Sequence, residues 1–494
     1  MNNVTSAEEA AEVIKDGMIV ATSGFTPAGY PKAVPLALAK RAEKFPFKIN
    51  LLTGASVGKE IDTALSEAGV VKKRIPYQTD RSMRNSINNG EVEFIDLHLS
   101  HMAQDIRYGY YGEIDVAIIE VCAITEEGYL IPSTSVGNSP TFVQEAKQVI
   151  VEVNTSQPLE LEGLHDIYIP GKPPKREPIP ILKTDDRIGT TYIPVDPKKI
   201  AAIVVTDIKD DVRPLPPVDA ISQRMAENLL DFLNFEIKKN RLPKNLLPLQ
   251  SGVGGVANAV LAGMVNSPFS NLEVYTEVIQ DAVFDLIDTG KVRIASGCSI
   301  TVSPEGLERF NQKIDFYRDK IILRPQEISN NPEVIRRLGV IAMNTAIEVD
   351  IYGHVNSTHV LGSRLMNGIG GSGDFTRNAY LSIFTTPSVV KNGDISSIVP
   401  MVSHVDHTEH DVDVVITEQG VADLRNKGPR QRTKEIIENC SHPDYRPLLR
   451  DYFERACSST GQHIPHLLGE ALSWHERLAK KGTMKVQTEK LATS

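Results

Sequence analysis

Cysteine is scarce in this chain, and what there is does not pair. The 494 residues hold four: Cys122, Cys298, Cys440 and Cys457. No two form a CxxC, so neither a zinc site nor a disulfide framework is suggested. The reading is four reduced thiols in a cytosolic protein. Basic charge is also short: the formal net charge is -10, which argues against general nucleic-acid binding. No apolar run approaches the ~20 residues needed to span a bilayer. The N-terminus opens Met1-Asn2-Asn3-Val4-Thr5-Ser6-Ala7-Glu8-Glu9. It lacks the basic region and long apolar run of a secretory signal, and is acidic where a mitochondrial presequence is Arg-rich. These absences predict a cytoplasmic enzyme with no membrane or nucleic-acid partner.

What is present is ordinary globular material, 41% hydrophobic and 23% charged, which argues against disorder. The length exceeds one hydrophobic core, so two or three domains are expected. Residues 114–122, 149–153 and 200–206 read as strands buried on both faces. Val278, Ile279, Ala282, Val283, Leu286 and Ile287 fall on one helical stripe, and Gly290 follows as a stop. This alternation predicts α/β layers with a largely parallel sheet. Residues 157–197 carry eight prolines and break it, and Pro214, Pro216 and Pro217 follow. The join between halves is placed near residue 215, giving domains 1–215 and 216–494, the second opening with a helix around Val218-Asp219.

The halves look like distant copies. Ala21-Thr22-Ser23-Gly24-Phe25 leads to Pro31-Lys32-Ala33-Val34, as Leu249-Gln250-Ser251-Gly252-Val253 leads to Ala257-Asn258-Ala259-Val260. Ile119-Glu120-Val121 precedes Ser133-Thr134, as Ile347-Glu348-Val349 precedes Ser357-Thr358. A duplication of this kind predicts two related open α/β domains with an active site between them.

Three stretches read as one site. The turn Ser251-Gly252-Val253-Gly254-Gly255, before a helix from Val256, exposes backbone amides to a ligand, or is a tight strand-to-helix turn. Glu277 ends the run Leu272-Glu273-Val274-Tyr275-Thr276. A helix is expected to begin at once, so its amides favour a negative charge there; the alternative is an acid of the first helical turn with no chemistry. The loop Asn367-Gly368-Ile369-Gly370-Gly371-Ser372-Gly373-Asp374-Phe375 contains a literal GxGxxG. A dinucleotide fingerprint requires a preceding apolar strand and an acid ending a second strand ~20 residues on. Gly362 to Asn367 make no convincing strand and Asp394 sits in a turn sequence, which argues against nicotinamide. His404, His407 and His410 invite a metal, but their spacing fits no strand face and Val405 and Thr408 form helix poorly, so a hydrogen-bonded turn is expected.

Residues 247–260, 273–291, 323–333, 356–375, 401–425 and 23–34 together resemble the acetyl-CoA hydrolase/transferase family over nearly the whole chain. The loop at 356–375 is the most specific part. The resemblance runs toward members that move CoA among succinate, acetate and propionate. It implies that Glu277 is the nucleophile and that the amides of Val253 and Gly371 form an oxyanion hole. Asn330 and Glu418 match polar residues around the nucleophile. Gly252, Val253, Gly254, Gly255 and Val256 match the CoA-binding turn, and Asn367, Gly371 and Lys391 match positions that contact CoA. Arg213 is the candidate for reading a substrate carboxylate. The implied enzyme is a homodimeric CoA-transferase working on acyl-CoA and short carboxylates. It holds no permanent cofactor and no metal, and CoA serves as substrate and covalent intermediate. Acyl-CoA hydrolysis and CoA binding without chemistry are the rival readings. The polar tail, residues 482–494, is expected to be a disordered end.

Overall fold

The computed structural model describes residues 3–55, 58–212, 214, 217–252 and 254–486. Among these, two eight-stranded sheets carry the fold. In the first, Ile19–Thr22 is central. Ile49–Ala55, Val71–Tyr77 and Glu93–Phe94 step outward on one side, and Val116–Ile124, Gln148–Asn154 and Ile200–Thr206 on the other. In the second, Leu249–Ser251 is central. Leu272–Tyr275, Val292–Gly297 and Ile321–Leu323 lie on one side, and Ile341–Thr345, Leu381–Thr385 and Val414–Thr417 on the other. The order of these strands is the same in both, and their pairs are parallel. An antiparallel strand, Gly420–Asp423, closes the edge of the second sheet. The common order is what the repeated sequence pattern predicted.

Of the strands read from sequence as buried on both faces, the first is so, with every residue from Val116 to Cys122 buried, whereas Ile200–Thr206 lies at the sheet edge and leaves Val205 57% exposed. The helix expected near Val218-Asp219 is Ala220–Lys238, and Asp219 caps it by accepting from the Ser222 amide at 2.7 Å. Such a cap satisfies an amide that the helix start leaves without a partner. One apolar cluster runs through both sheets, from Ala21 and Phe142 to Phe284 and Ile416. The halves therefore share a core as well as a surface.

The proline-rich segment holds short 3-10 turns, Leu159–Leu161 and Pro197–Lys199, in place of long elements. The chain then returns to the first half. Buried Lys32 pairs with Glu120 and lies 2.9 Å from Asp210, so the segment entering the join is held by an internal ion pair. Arg213 and the join residues Leu215 and Pro216 lie outside the described residues. The tail expectation needs correction at its start. Met484 is 1% exposed, and its amide donates to the Asp394 carbonyl at 2.8 Å, with the Thr483 hydroxyl beside it. An apolar anchor and backbone pairing hold this stretch against the loss of chain entropy. Residues 487–494 lie outside the described residues. No helix among the described residues is long and apolar enough to cross a membrane.

Candidate active site

Both central strands sit where the strand order reverses, the place where open α/β sheets hold ligands beyond strand C-termini. Glu277 lies just past Leu272–Tyr275, one strand from the centre of the second sheet. Its backbone is pinned: the Glu277 carbonyl accepts from Cys298 at 2.7 Å and Ser299 at 3.1 Å. Thr276 ties the strand ends together, its hydroxyl donating to the Ser251 carbonyl at 3.2 Å. The helix expected at once after Glu277 does not start there. Val278–Ile279 pairs in parallel with Ser299–Ile300, and the helix is Asp281–Asp288. Two β-branched residues prolong the extended chain. Glu277 therefore gains nothing from that helix's amide dipoles.

Its carboxylate is held by side chain and glycine. Asn330, just after the short helix Gln326–Ser329, donates its Nδ2–H to Glu277 Oε1 at 2.8 Å. A Cβ on Gly371 would overlap Oε1 and the same Asn330 amide, so the backbone approaches a carboxylate as only glycine allows. Burial pushes the Glu277 carboxyl up to about 7, against the opposing hydrogen bond from Asn330. A carboxylate with few donors is a strong nucleophile once ionised. It opens into a cavity of about 190 Å³ walled by Phe25, Ala55 and Leu99 of the first half, with Val278 and Asn344 of the second.

The Gly-rich loop is positioned by the first half. Ile369 donates its amide to both Asp96 oxygens at 2.9 Å. Ser100 donates its amide at 3.0 Å and its hydroxyl at 2.5 Å to Asp374. Asn88 exchanges hydrogen bonds with the Leu365 backbone, both at 2.9 Å. A Cβ on Gly368 would come within 2.8 Å of the Tyr77 ring, and one on Gly373 would overlap His98. The glycines of the apparent dinucleotide motif thus admit side chains of the first half. Burial raises Asp96 and Asp374 to about 7 and Tyr77 to about 12, and lowers His98.

The other residues singled out from sequence divide. Gly252, Asn367 and Gly371 line the Glu277 cavity. The Gly252 amide is already bonded to the Met343 carbonyl at 3.0 Å. Gly254 has φ 132, the left-handed region that favours glycine, and precedes the helix Gly255–Val265. Val256 is partly buried against the main core. Val253 lies outside the described residues, as does Arg213. Glu418 bonds elsewhere: it accepts from the Ser388 amide at 2.8 Å and from Gln419 Nε2 at 3.0 Å. Lys391, at φ 50 in a hairpin turn, lines a separate cavity of about 520 Å³ with Ser222, His442 and Lys485. The histidine segment is the hydrogen-bonded turn expected: His404 faces Asp406 at 3.3 Å, His407 meets the Ser372 hydroxyl at 3.1 Å, and His410 meets the Thr408 hydroxyl at 3.4 Å. Asp374, Ser100, Asp96 and Tyr77 were not singled out by sequence. Asp374 stood within the quoted loop; the rest have no local signal.

Residues 1–205 match the family model of the acetyl-CoA hydrolase/transferase N-terminal domain, and residues 306–453 that of the C-terminal domain. The chain is 60% identical over 484 residues to succinyl-CoA:acetate CoA-transferase of Clostridium kluyveri, covering 98% of this chain and 90% of that relative. The chain belongs to the acetyl-CoA hydrolase/transferase family. It is accordingly an enzyme of the CoA-transferase type. Family relatives include propanoyl-CoA:succinate CoA transferase of Escherichia coli, 50% identical over 97% of this chain and 98% of that one. Acetyl-CoA hydrolase of Schizosaccharomyces pombe is 49% identical over 98% and 96%. The fold is that of RipA from Yersinia pestis, with TM-score 0.73 at 23% identity over 92% of this chain and 97% of that one. A 4-hydroxybutyrate CoA-transferase from Porphyromonas gingivalis gives TM-score 0.64 at 23% identity over the same shares. Glu277 and the turn at Ser251 fall between the two family-model segments, within the stretch that the full-length relatives span.

Proposed function

We propose that this enzyme moves CoA between short carboxylic acids, with succinyl-CoA and acetate giving acetyl-CoA and succinate as the leading reaction, through a glutamyl-CoA thioester on Glu277. The observation that carries the chemistry is the Glu277 carboxylate, set in a small cavity between the halves with Asn330 as its donor and the Gly371 backbone packed against it. The acid pair is supported by the 60% identity to a succinyl-CoA:acetate CoA-transferase; propionate and succinate are the next pair, from the 50% relative.

Each step conserves atoms and charge. A Glu277 oxygen bonds the acyl carbon, the carbon–sulfur bond breaks, and its electron pair leaves as CoA thiolate. The amides of Gly371 and Val253 hold the oxyanion formed on the way, a task worth ~3–4 kcal/mol per donor. The thiolate then bonds the Glu277 carbonyl carbon of the anhydride, and the acid leaves as a carboxylate. An incoming carboxylate reverses both steps. The thioester energy stays in the covalent intermediate, so exchange needs no input.

Hydrolysis is the second reading, favoured by the acetyl-CoA hydrolase at 49% identity. It uses the same intermediate with water as acceptor. The experiment is intact-mass analysis after exposure to succinyl-CoA and borohydride reduction, followed by an acceptor screen. An adduct on Glu277 discharged by acetate supports transfer. An adduct discharged equally fast by buffer supports hydrolysis, and none at all overturns the covalent reading. Arg213 is proposed to read the distal carboxylate of succinyl-CoA, because a guanidinium binds that group bidentately. A homodimer, resting on the family resemblance, and a cytoplasmic location, resting on the acidic N-terminal sequence, complete the proposal.

A further inference from the structure

A second carboxylate shares the donor that holds Glu277. Asn330 Nδ2 lies 2.8 Å from Glu277 Oε1 and 3.4 Å from Asp374 Oδ2, so one NH2 group sits between two acids. The acids are not equivalent. Asp374, 4% exposed, also accepts the Ser100 amide and hydroxyl, whereas Asn330 is the side-chain donor to Glu277. The member of such a pair with more hydrogen-bond donors keeps the charge, and the other is the one driven to lose it.

The same helix of the first half fixes both partners. Leu99–Arg107 presents Ser100 to Asp374. Its Arg107 grips Glu327 through two hydrogen bonds of 2.7 Å, and Gln326 Nε2 donates to the Leu99 carbonyl at 2.8 Å. Glu327 and Gln326 belong to the short helix that ends at Asn330. Donor and second acid are thus clamped to one element.

We propose that Asp374 is a positioning residue that turns the Asn330 amide toward Glu277 and, when ionised, favours the covalent state in which Glu277 carries no charge. This rests on the glutamyl-CoA reading. In the net step a Glu277 carboxylate and an acyl-CoA become glutamyl-CoA and a free carboxylate. The departing acid takes one Glu277 oxygen and the negative charge with it, and no proton is consumed. An anion beside Glu277 destabilises the state before that step and leaves the state after it alone. The other ionisable groups facing the pair are Tyr77 and Asp96 across the loop, His98 beside Gly373, and Cys298, whose amide donates to the Glu277 carbonyl. Burial holds Tyr77 and Cys298 protonated near neutrality and His98 unprotonated. Asp96 titrates in the same range as the pair, and is unchanged by the substitutions below.

The test uses the full-length enzyme at fixed succinyl-CoA and succinate, with the fraction carrying CoA read by intact mass. In Asp374→Asn the adduct-to-free ratio is expected to fall by roughly tenfold, as removal of a neighbouring buried charge predicts. The acid limb of its kcat/KM profile should move to lower pH, and kcat should fall with little change in the KM for acyl-CoA. Ser100→Ala, which removes a donor that favours the Asp374 anion, should shift the ratio the same way by less. If Asp374→Asn does not fold, Ser100→Ala carries the test alone. A folded Asp374→Asn with an unchanged ratio and acid limb overturns the proposal, as does an unchanged Ser100→Ala. Wild-type enzyme that never carries CoA overturns the glutamyl-CoA reading first, before any variant is compared.

Discussion

Glu277 is held at a length tolerance of less than one methylene. Its carboxylate meets Asn330 on one side and the bare backbone of Gly371 on the other. Glu277→Ala should abolish transfer in a folded protein. Glu277→Asp should lose about 100-fold or more in kcat, since displacement near 1 Å costs that much. Gly371→Ala should be as damaging from the opposite side, because the new methyl group lands on Oε1; wild-type turnover in it would disprove the close approach. The weakened acidity of the Glu277 carboxyl gives a second check. Glu277 must be ionised to attack, so kcat/KM should fall below about pH 7. The same shift costs stability with a definite sign. A carboxyl whose folded value lies above its unfolded 4.5 binds more protons folded than unfolded between 4.5 and 7. Stability is therefore lost as pH rises through that window. Glu277→Gln should melt higher than wild type at pH 8, by about 1–3 kcal/mol, with the difference vanishing near pH 4. Equal melting curves at pH 8 would show that the carboxylate is not desolvated.

At the scale of elements, the loop after Leu365 depends on partners far away in sequence. Ile369 reaches Asp96 and Asp374 reaches Ser100 across 273 and 274 positions. Asp96→Leu should leave the fold intact, speed amide exchange at Ile369 and Gly370, and lower kcat about tenfold, as loss of a charged acceptor predicts. Unchanged exchange there would show that the loop holds its own shape. This scale also shows what sequence can and cannot carry. Strands such as Val116–Ile124 match their apolar runs, because burial on both faces writes itself as an unbroken hydrophobic stretch. The glycine turn and Glu277 were legible because close backbone approach and strand ends leave local marks. The start of the helix Asp281–Asp288 was not. Val278 and Ile279 fit its apolar stripe equally well as strand, and the parallel partner Ser299–Ile300 decides. Asp96 and Ser100 were illegible for the same reason at longer range: an acid or serine looks the same whether it faces water or a loop from the other half.

For the whole molecule, the matching strand orders make the halves one architecture used twice, yet the site is not used twice. Glu277, the proposed nucleophile, comes from the second half, and Phe25, Ala55 and Leu99 of the cavity wall from the first. The shared apolar cluster extends this dependence to folding. A fragment of residues 216–494 expressed alone should therefore be inactive despite carrying Glu277, with exposed apolar surface and a lowered Tm or no cooperative melt. Turnover by that fragment at the full-chain rate would refute the joint site.

Part of the cavity wall lies far along the chain from the reacting group, and this sets how the enzyme can change. Phe25, Ala55 and Leu99 pack with Val278 around the cavity yet make none of the hydrogen bonds that hold Glu277. Their size can vary while the attacking oxygen stays where it is. Altering which acid fits is then a problem of volume, open to substitution in the first 100 residues, whereas altering what happens to the acid requires the second half. Under the proposed reaction, acid preference can change at these three positions without touching the contacts of Glu277.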